Sequence, residues 1–587
     1  MYFSYSLDLT NSFQRQAQAN PQDALWQRAD DRFFWNKYVQ SDLIDFANGK
    51  GVRHLTGHQA AMDPFILPVM FGMLRITRVR IKSTPFTFAL LSRRSRYRVG
   101  TRYFTRGMDE LGHVANFNET EQVVVLNDNS NGLPGFDSQT NGTTKRNSFE
   151  PQVLSYVQTR GSVPVFWSEV STLKYTPTLQ VRGVETAIDA AKRHFDEQIA
   201  IYGTNFLVNL VNQKGREERV KQAYEQMIRN LVSSPDERAD SGFATEEKIR
   251  VLETSQTQSK YDRLHYIYFD FHNETKGLKW YRAQILLDQL RDNLERGKYF
   301  RGIQMPADDQ NHLDVRTLQT AVVRTNCMDC LDRTNVVQSM LARWALTRQL
   351  QDAGILGPGE TADDDPTFAH MFRNIWADNA DVVSKSYSGT GALKTDFTRT
   401  GNRTRAGALQ DLRNSLTRYV KNNFQDGPRQ DAFDLLLGAY VPTSDTSTGS
   451  LVFADRRPAL IQAMPYVVAA SLFIVLMAAI ARPQPSSSAW PLRFFSLVWV
   501  IVGAWSLHFI YNHGMLYVSF KPLTASLSSC PKDRALPSPV PDYTLTGELA
   551  QIEHPSLRNR WLPRADVEGS KRQDSRSDHL AARAGAQ

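Results

Sequence analysis

The sequence predicts an α/β soluble region carrying a C-terminal two-helix transmembrane hairpin. Three observations predict it. A β-rich run, Thr320 to Asn326, leads through a tight loop into a pattern with Val337, Met340, Leu341 and Trp344 at helical spacing. Two long uncharged apolar stretches lie back to back within residues 459–511. The whole chain of 587 residues is 41% hydrophobic and 22% charged, an ordinary globular composition that excludes a collagenous or low-complexity protein. Its length allows a large core and roughly two to four domains.

Charge and cysteine usage narrow the class further. Lys and Arg number 69 against 61 Asp and Glu, and the formal net charge of +8 suits anionic partners without choosing nucleic acid or membrane lipid. Cys327, Cys330 and Cys530 are too few for a disulfide framework and fit a reducing compartment. The first twenty residues contain Asp8 and Arg15 and no apolar core, so no cleavable signal peptide is expected.

Taken in order, EQVVVL (121–126) and VLSYVQTRGSVPVFW (153–167) read as strands by their β-branched and aromatic content. Between them a stretch rich in Asn, Gly, Ser and Thr predicts a flexible insert over residues 126–150. Six arginines, Arg93, Arg94, Arg96, Arg98, Arg102 and Arg106, stand together without an acid. They read either as a strip that attracts anionic lipid or as a solvated strand face. GILGPGETADDDPT (354–367) is a loop between two helical patterns, and 441–458 is a linker.

Ala459–Ala481 and Phe494–Tyr511 are each long enough to cross a bilayer core at ~1.5 Å rise per residue. Two buried core helices are the alternative, and uncharged stretches of this length argue against it. Two spans return the chain to its starting side. Arg456, Arg457, Lys521, Lys532 and Arg534 outside the spans, against Arg482 and Arg493 in the link, favour a cytosolic outer side. Residues 530–587 read as a disordered tail.

The chemistry is concentrated in Thr320–Leu350. Cys327 and Arg333 form C-x5-R in a loop between a strand and a helix N-terminus, where backbone N–H groups and the helix dipole favour an anion. A thiol there can ionise near neutrality, and an Arg fork can hold two phosphate oxygens. Asp329 and Asp332 are both candidates for the proton donor. Cys327 and Cys330 also form C-x-x-C, which fits a redox pair or half a zinc site. A four-cysteine zinc site is excluded because the third cysteine lies beyond the spans. SGTGALK (388–394) is a Gly-rich turn rather than a P-loop, and His272 in FDFHN reads as a structural histidine before one that supports the catalytic residues.

The longer string Arg324-Thr325-Asn326-Cys327-Met328-Asp329-Cys330-Leu331-Asp332-Arg333-Thr334-Asn335 resembles the signature of the Sac-domain phosphoinositide phosphatases. The resemblance continues through 90–107, 114–122, 158–169, 269–277 and 379–401, and covers the region from Tyr2 to about Tyr440. It implies an α/β Sac phosphatase catalytic domain over 151–440, preceded in 1–125 by a partial β-rich N-terminal subdomain. The chain begins at a motif that family members usually place after a further β-rich stretch, so an N-terminally truncated subdomain is expected.

The resemblance also implies phosphate removal from phosphoinositides, chiefly phosphatidylinositol 4-phosphate, with the 3-phosphate and some 3,5-bisphosphate as secondary substrates. Cys327 would be the nucleophile, Arg333 the phosphate ligand, and Asp329 and Asp332 the acidic positions. Arg324, Asn326, Met328, Cys330, Leu331, Thr334 and Lys394 are expected to contact substrate. No metal and no cofactor is expected, and the partners implied are phosphoinositide lipids rather than nucleic acid. The hairpin resembles that of the family's membrane-anchored branch. It implies the endoplasmic reticulum membrane, or the Golgi, with the catalytic domain and both termini cytosolic. The alternatives are a membrane-anchored phosphoinositide binder without turnover and a C-x5-R phosphatase acting on phosphoprotein.

Overall fold

The computed structural model describes residues 1–50, 57–127, 151–232, 249–252, 260–276, 279–304, 313–441, 457–480 and 490–518. The expected insert beyond Asn127, the linker from 442 to 456, the link between the apolar helices and the tail from 530 lie outside the described residues.

Twelve strands are described: β1 (Gly72–Ile81), β2 (Thr84–Arg94), β3 (Asn118–Leu126), β4 (Gln152–Arg160), β5 (Trp167–Val170), β6 (Thr178–Val181), β7 (Thr204–Asn209), β8 (Ile249–Leu252), β9 (Leu264–Phe269), β10 (Phe300–Gln304), β11 (Leu313–Thr317) and β12 (Ala321–Asn326). Ten form one mixed sheet, ordered β1-β2-β3-β4-β12-β7-β9-β8, with the β10–β11 hairpin on the first half of β4. EQVVVL lies within β3, whereas VLSYVQTRGSVPVFW is strand only over 153–160 in β4: the chain leaves the sheet at Gly161 and forms a loop around Pro164 before Trp167 opens β5.

The sheet changes character at β4. From β1 to β4 it is an antiparallel meander, whereas β4, β12, β7 and β9 run parallel. β10 pairs with residues 152–155 of β4 and β12 with Thr159 and Arg160, so two strands share one edge of β4. Val157 falls between them. The Gln319 side chain accepts from its N–H and donates to its carbonyl, both at 2.8 Å, and so keeps the buried backbone satisfied.

The parallel half is buried on both faces, which its apolar runs require. Leu207, Tyr266 and Tyr268 pack under helices Ile188–Tyr202 and Glu218–Val232. Phe206, Val208, Ile267 and Val323 point the other way, against helices Gln284–Gly297 and Asp332–Asp352. The meander is covered by Pro366–Ser388, whose Phe368, Phe372 and Trp376 meet Phe88, Leu90 and Val124. Asp365 caps that helix, Pro366 opens it, and Gly389 ends it at φ 82°.

The arginine cluster is neither a lipid strip nor a solvated face. Arg93 is fully buried and pairs with Glu119 (3.0 Å) and Glu121 (2.6 Å) on β3. Arg94 donates to the carbonyls of Gly100 and Ser386, and Arg96 pairs with Asp31. Arg98 donates to the Arg106 carbonyl, while Arg102 and Arg106 reach the loop after β12. The acids that neutralise the cluster come from strands and loops distant in sequence.

Ala459–Ile480 and Trp490–Asn512 form two long apolar helices of mean hydropathy 2.3 and 1.7. Only 11% and 6% of their most apolar windows are buried, and by length and composition both are able to cross a membrane. The second begins four residues earlier than its apolar stretch, because Pro491 is compatible with a first helical turn. Gly503 lies against Ser471 at the contact between the two helices.

Candidate active site

Three parallel strands deliver the site. Their C-terminal ends place the loop after β12, the segment after β7 (Leu210–Asn212) and the segment after β9 (Asp270–Lys276) side by side, the usual ligand position in an open α/β sheet. A cavity of ≈ 470 Å³ opens there. Asn212 lines it from β7, and Phe271, His272, Thr275 and Lys276 from β9. The β12 loop contributes Cys327, Asp329, Leu331, Asp332 and Arg333. Residues 392–395, with Lys394 in the left-handed region at φ 59°, close the far side.

The loop folds back on the thiol. Cys330 adopts φ 51°, which aims its N–H at Cys327 Sγ (2.9 Å) and lets its own S–H donate to the Gly161 carbonyl (2.9 Å). Helix Asp332–Asp352 starts at once, and Thr334 in its first turn places its hydroxyl 3.4 Å from the same sulfur. Burial, the largest influence, pushes the Cys327 thiol up. The side chain of Cys330, the charge of Arg333 and the Thr334 hydroxyl outweigh it, and the thiol falls to about 7. Burial and the adjacent Cys327 push Cys330 the other way, so it stays a neutral donor.

The two acids of the loop have opposite surroundings. Burial would raise the Asp329 carboxyl, but Arg102 (2.8 Å) and Arg106, which also bonds it directly, hold it well below the usual carboxylate range. Arg106 is in turn bonded to Glu169, and Glu169 to Arg216 (3.0 Å). Asp332 faces the cavity and accepts from the Leu393 N–H (2.9 Å). Burial is the dominant influence on its carboxyl, which is pushed up.

Arg333 lies at the cavity edge with its fork occupied. Nη1 donates to the Leu210 carbonyl (2.9 Å), Asn212 Oδ1 (2.8 Å) and Glu217 (3.0 Å), and Nη2 donates to Glu217 (2.9 Å).

The cavity gathers Cys327, Asp329, Leu331, Asp332, Arg333 and Lys394, and Thr334 touches the thiol from behind. Arg324, Asn326, Met328 and Cys330 are not among its lining residues. Arg324 and Asn326 donate to the Ser162 carbonyl just past the end of β4, Met328 packs in the core, and Cys330 supports the loop. A strand alternates its side chains, so neighbours of the loop in sequence need not face the ligand. His272, expected as structural, is exposed on the cavity wall. Asn212, Glu217 and Lys276 were not singled out. Only Lys276, inside FDFHNETKG, stood in a segment that signalled anything.

Residues 1–276 match the family model described as the SacI homology domain. The chain is 41% identical over 524 residues to phosphatidylinositol-3-phosphatase SAC1 of Saccharomyces cerevisiae, covering 89% of this chain and 74% of that protein. The chain belongs to the Sac-domain phosphoinositide phosphatase family. It is also 38% identical to phosphatidylinositol-3-phosphatase SAC1 of Drosophila melanogaster, over 90% of this chain and 77% of that protein. For phosphoinositide phosphatase SAC6 of Arabidopsis thaliana the identity is 33%, over 85% and 72%. The family-model match ends at residue 276, before the Cys327 loop, which the 524-residue alignment with the yeast protein spans.

Proposed function

We propose that this chain hydrolyses the monoester phosphate of phosphatidylinositol 4-phosphate, and also of the 3-phosphate, through a cysteinyl-phosphate intermediate. The observation that carries the reading is a thiol lowered to about 7 on the wall of a cavity that also holds a raised carboxyl, Asp332. The Cys327 thiolate attacks phosphorus; an S–P bond forms and the ester O–P bond breaks. The inositol oxygen leaves with the proton of Asp332. The resulting carboxylate takes a proton from water, whose oxygen attacks phosphorus. The S–P bond breaks, inorganic phosphate departs, and thiolate and acid are restored. Arg333 transfers its fork from Glu217 to two phosphate oxygens. Lys276 and Lys394, both on the cavity wall, supply positive charge for the headgroup.

The apolar helices are the membrane anchor in this reading, with the catalytic domain on the cytosolic face of the endoplasmic reticulum or Golgi membrane. Their outward apolar surfaces and the neighbourhood of their two outer ends, where Arg457 donates to the Leu516 carbonyl (3.0 Å), support a hairpin. Anchoring raises the effective concentration of a lipid substrate without adding contacts.

The test is phosphate release by the full chain from vesicles holding the 4-phosphate or the 3-phosphate lipid, in EDTA, beside Cys327→Ser. Release by wild type and none by the variant is expected, faster for the 4-phosphate. Turnover of a phosphotyrosine peptide without turnover of lipid would instead favour a phosphoprotein phosphatase, and binding without release a non-enzymatic role.

A further inference from the structure

Helix Arg405–Phe424 is turned inside out. Its buried side chains are polar, namely Arg418, Asn422 and Asn423. Arg418 donates to Thr390 Oγ1 (3.0 Å) and the Gly391 carbonyl (2.9 Å), and Asn422 donates to the Ser388 carbonyl (3.0 Å). Asp411 accepts from the Lys394 N–H (3.1 Å) on the same side. Leu409, Leu412, Leu416, Val420 and Phe424 recur at three- and four-residue intervals and are between 47% and 68% exposed. At 3.6 residues per turn they make one stripe opposite Asp411, Arg418 and Asn422. Five large apolar side chains in one stripe differ from scattered surface leucines, which need no explanation.

The position of the stripe says what covers it. Near the end of the helix, Tyr419 Oη donates to the Leu173 carbonyl (2.5 Å), and Asn423 Oδ1 accepts from Ser171 Oγ (2.6 Å). Leu173 packs against Ile461, Met464 and Tyr517 at the base of the apolar hairpin, and the Lys174 ammonium lies 6.0 Å over the Tyr511 ring. The stripe thus adjoins the point where both apolar helices leave the soluble domain. Exposed Arg405 and Arg413 stand on the same outer side of the helix, where their stems can lie along acyl chains while the guanidinium reaches phosphate.

We propose that Arg405–Phe424 is an interfacial helix, lying in the headgroup–acyl boundary of the bilayer that holds the hairpin, with the five apolar side chains inserted. This rests on the reading of the hairpin as a membrane anchor. Its consequence concerns orientation. The inner face of the helix is bonded to Ser388, Thr390, Gly391 and Lys394, in the segment that closes the catalytic cavity. The anchor restrains distance, and the interfacial helix sets the cavity's height and tilt over the headgroups.

The test uses the full chain in phosphatidylcholine vesicles containing the 4-phosphate lipid. A polarity-sensitive fluorophore is attached at Leu416→Cys, in a Cys327→Ser, Cys530→Ser background, and for comparison at Glu295→Cys on the exposed face of helix Gln284–Gly297. The probe at 416 should shift to the blue and be quenched by lipids spin-labelled at a shallow acyl carbon. The probe at 295 should be quenched by aqueous iodide alone. Iodide quenching at 416, in a chain whose hairpin resists alkaline carbonate, overturns the interfacial helix and leaves the anchor standing. A blue shift without lipid quenching means that a protein surface or a second copy covers the stripe, and also overturns it. Carbonate extraction of the chain removes the anchor reading and this one together. As a second readout, Leu412→Ser with Leu416→Ser, both exposed, should lower release from vesicles by about tenfold (~1.4 kcal/mol). Release from a water-soluble short-chain analogue should not change. An equal loss on both substrates, or no loss on vesicles, counts against the proposal.

Discussion

The two sides of the Cys327 loop carry their charges in opposite ways. On one side Asp329 and Glu169 are shared among Arg102, Arg106 and Arg216, a network centred on the buried Arg106–Glu169 pair in which each acid meets two guanidinium groups at bonding distance. On the other side Asp332 has one backbone donor and faces an open cavity. The same residue type, three positions apart, is a fixed anion in one place and a raised acid in the other. Motif spacing names the residues, and surroundings set their charge states apart.

The sharpest way to break this comparison is to neutralise each acid in turn. Asp332→Asn should lower kcat for vesicle lipid by about 10²- to 10⁴-fold, the range expected for a lost general acid and base. Because the Asp332 carboxyl is raised, its ionisation opposes folding as pH rises through the folded value. The same variant should therefore be at least as thermally stable as wild type at pH 7. Asp329→Asn should fail through the fold instead. If it melts like wild type and loses only kcat, the roles are reversed.

Arg106→Leu probes the clamped side directly. It strips Asp329 and Glu169 of a shared, almost fully buried partner, and should cost about 3–5 kcal/mol in chemical unfolding. The sign with pH follows from Asp329, whose carboxyl is depressed in the folded chain. Its contribution is complete above the unfolded value of about 4 and is lost as pH falls below it. The wild-type advantage over Arg106→Leu should shrink in that acid range. An advantage that is flat with pH would mean packing, not charge, is what Arg106 supplies.

These two sides also mark where reading residues in order stops working. The strand–loop–helix around Cys327 and the two apolar helices were legible because each is written in contiguous residues with one period. The cavity was partly legible: Cys327, Asp329, Leu331, Asp332 and Arg333 line it, while Arg324 and Asn326 bond the segment just after β4. Arg102 and Arg106 looked like surface charge because their partner, Asp329, is more than 220 residues away. Glu217 gave no signal at all, since its role exists only once β7 and β12 lie side by side. The inverted stripe of Arg405–Phe424 is periodic, but periodicity cannot say which face is buried.

A smaller effect is expected at the thiol. Arg333 is one of the influences that bring Cys327 down to about 7. In wild type, alkylation by iodoacetamide should rise with pH about a midpoint near 7. Arg333→Gln should move that midpoint up by about one unit, or ~1.4 kcal/mol. A midpoint that stays in place would leave the Cys330 and Thr334 hydrogen bonds as the whole cause.

The smallest effect distinguishes a resting guanidinium from a working one. Arg333 gives its fork to Glu217, two bonds of 2.9 and 3.0 Å, and to two neutral oxygens on Leu210 and Asn212. In the proposed reaction a phosphate competes with that carboxylate for Arg333. Glu217→Gln keeps an oxygen for the Asn212 N–H, which Glu217 now accepts at 2.8 Å, and removes only the charge. Both side chains are partly exposed, at 23% and 13%, so the pair is screened and worth about 1 kcal/mol or less. KM for vesicle lipid should then fall by a few-fold with kcat unchanged, and the gain should fade in high salt as the competition itself is screened. A KM that instead rises tenfold would show that Glu217 holds Arg333 in the geometry that binds phosphate, and that both sides of the loop, not one, depend on a clamped arginine.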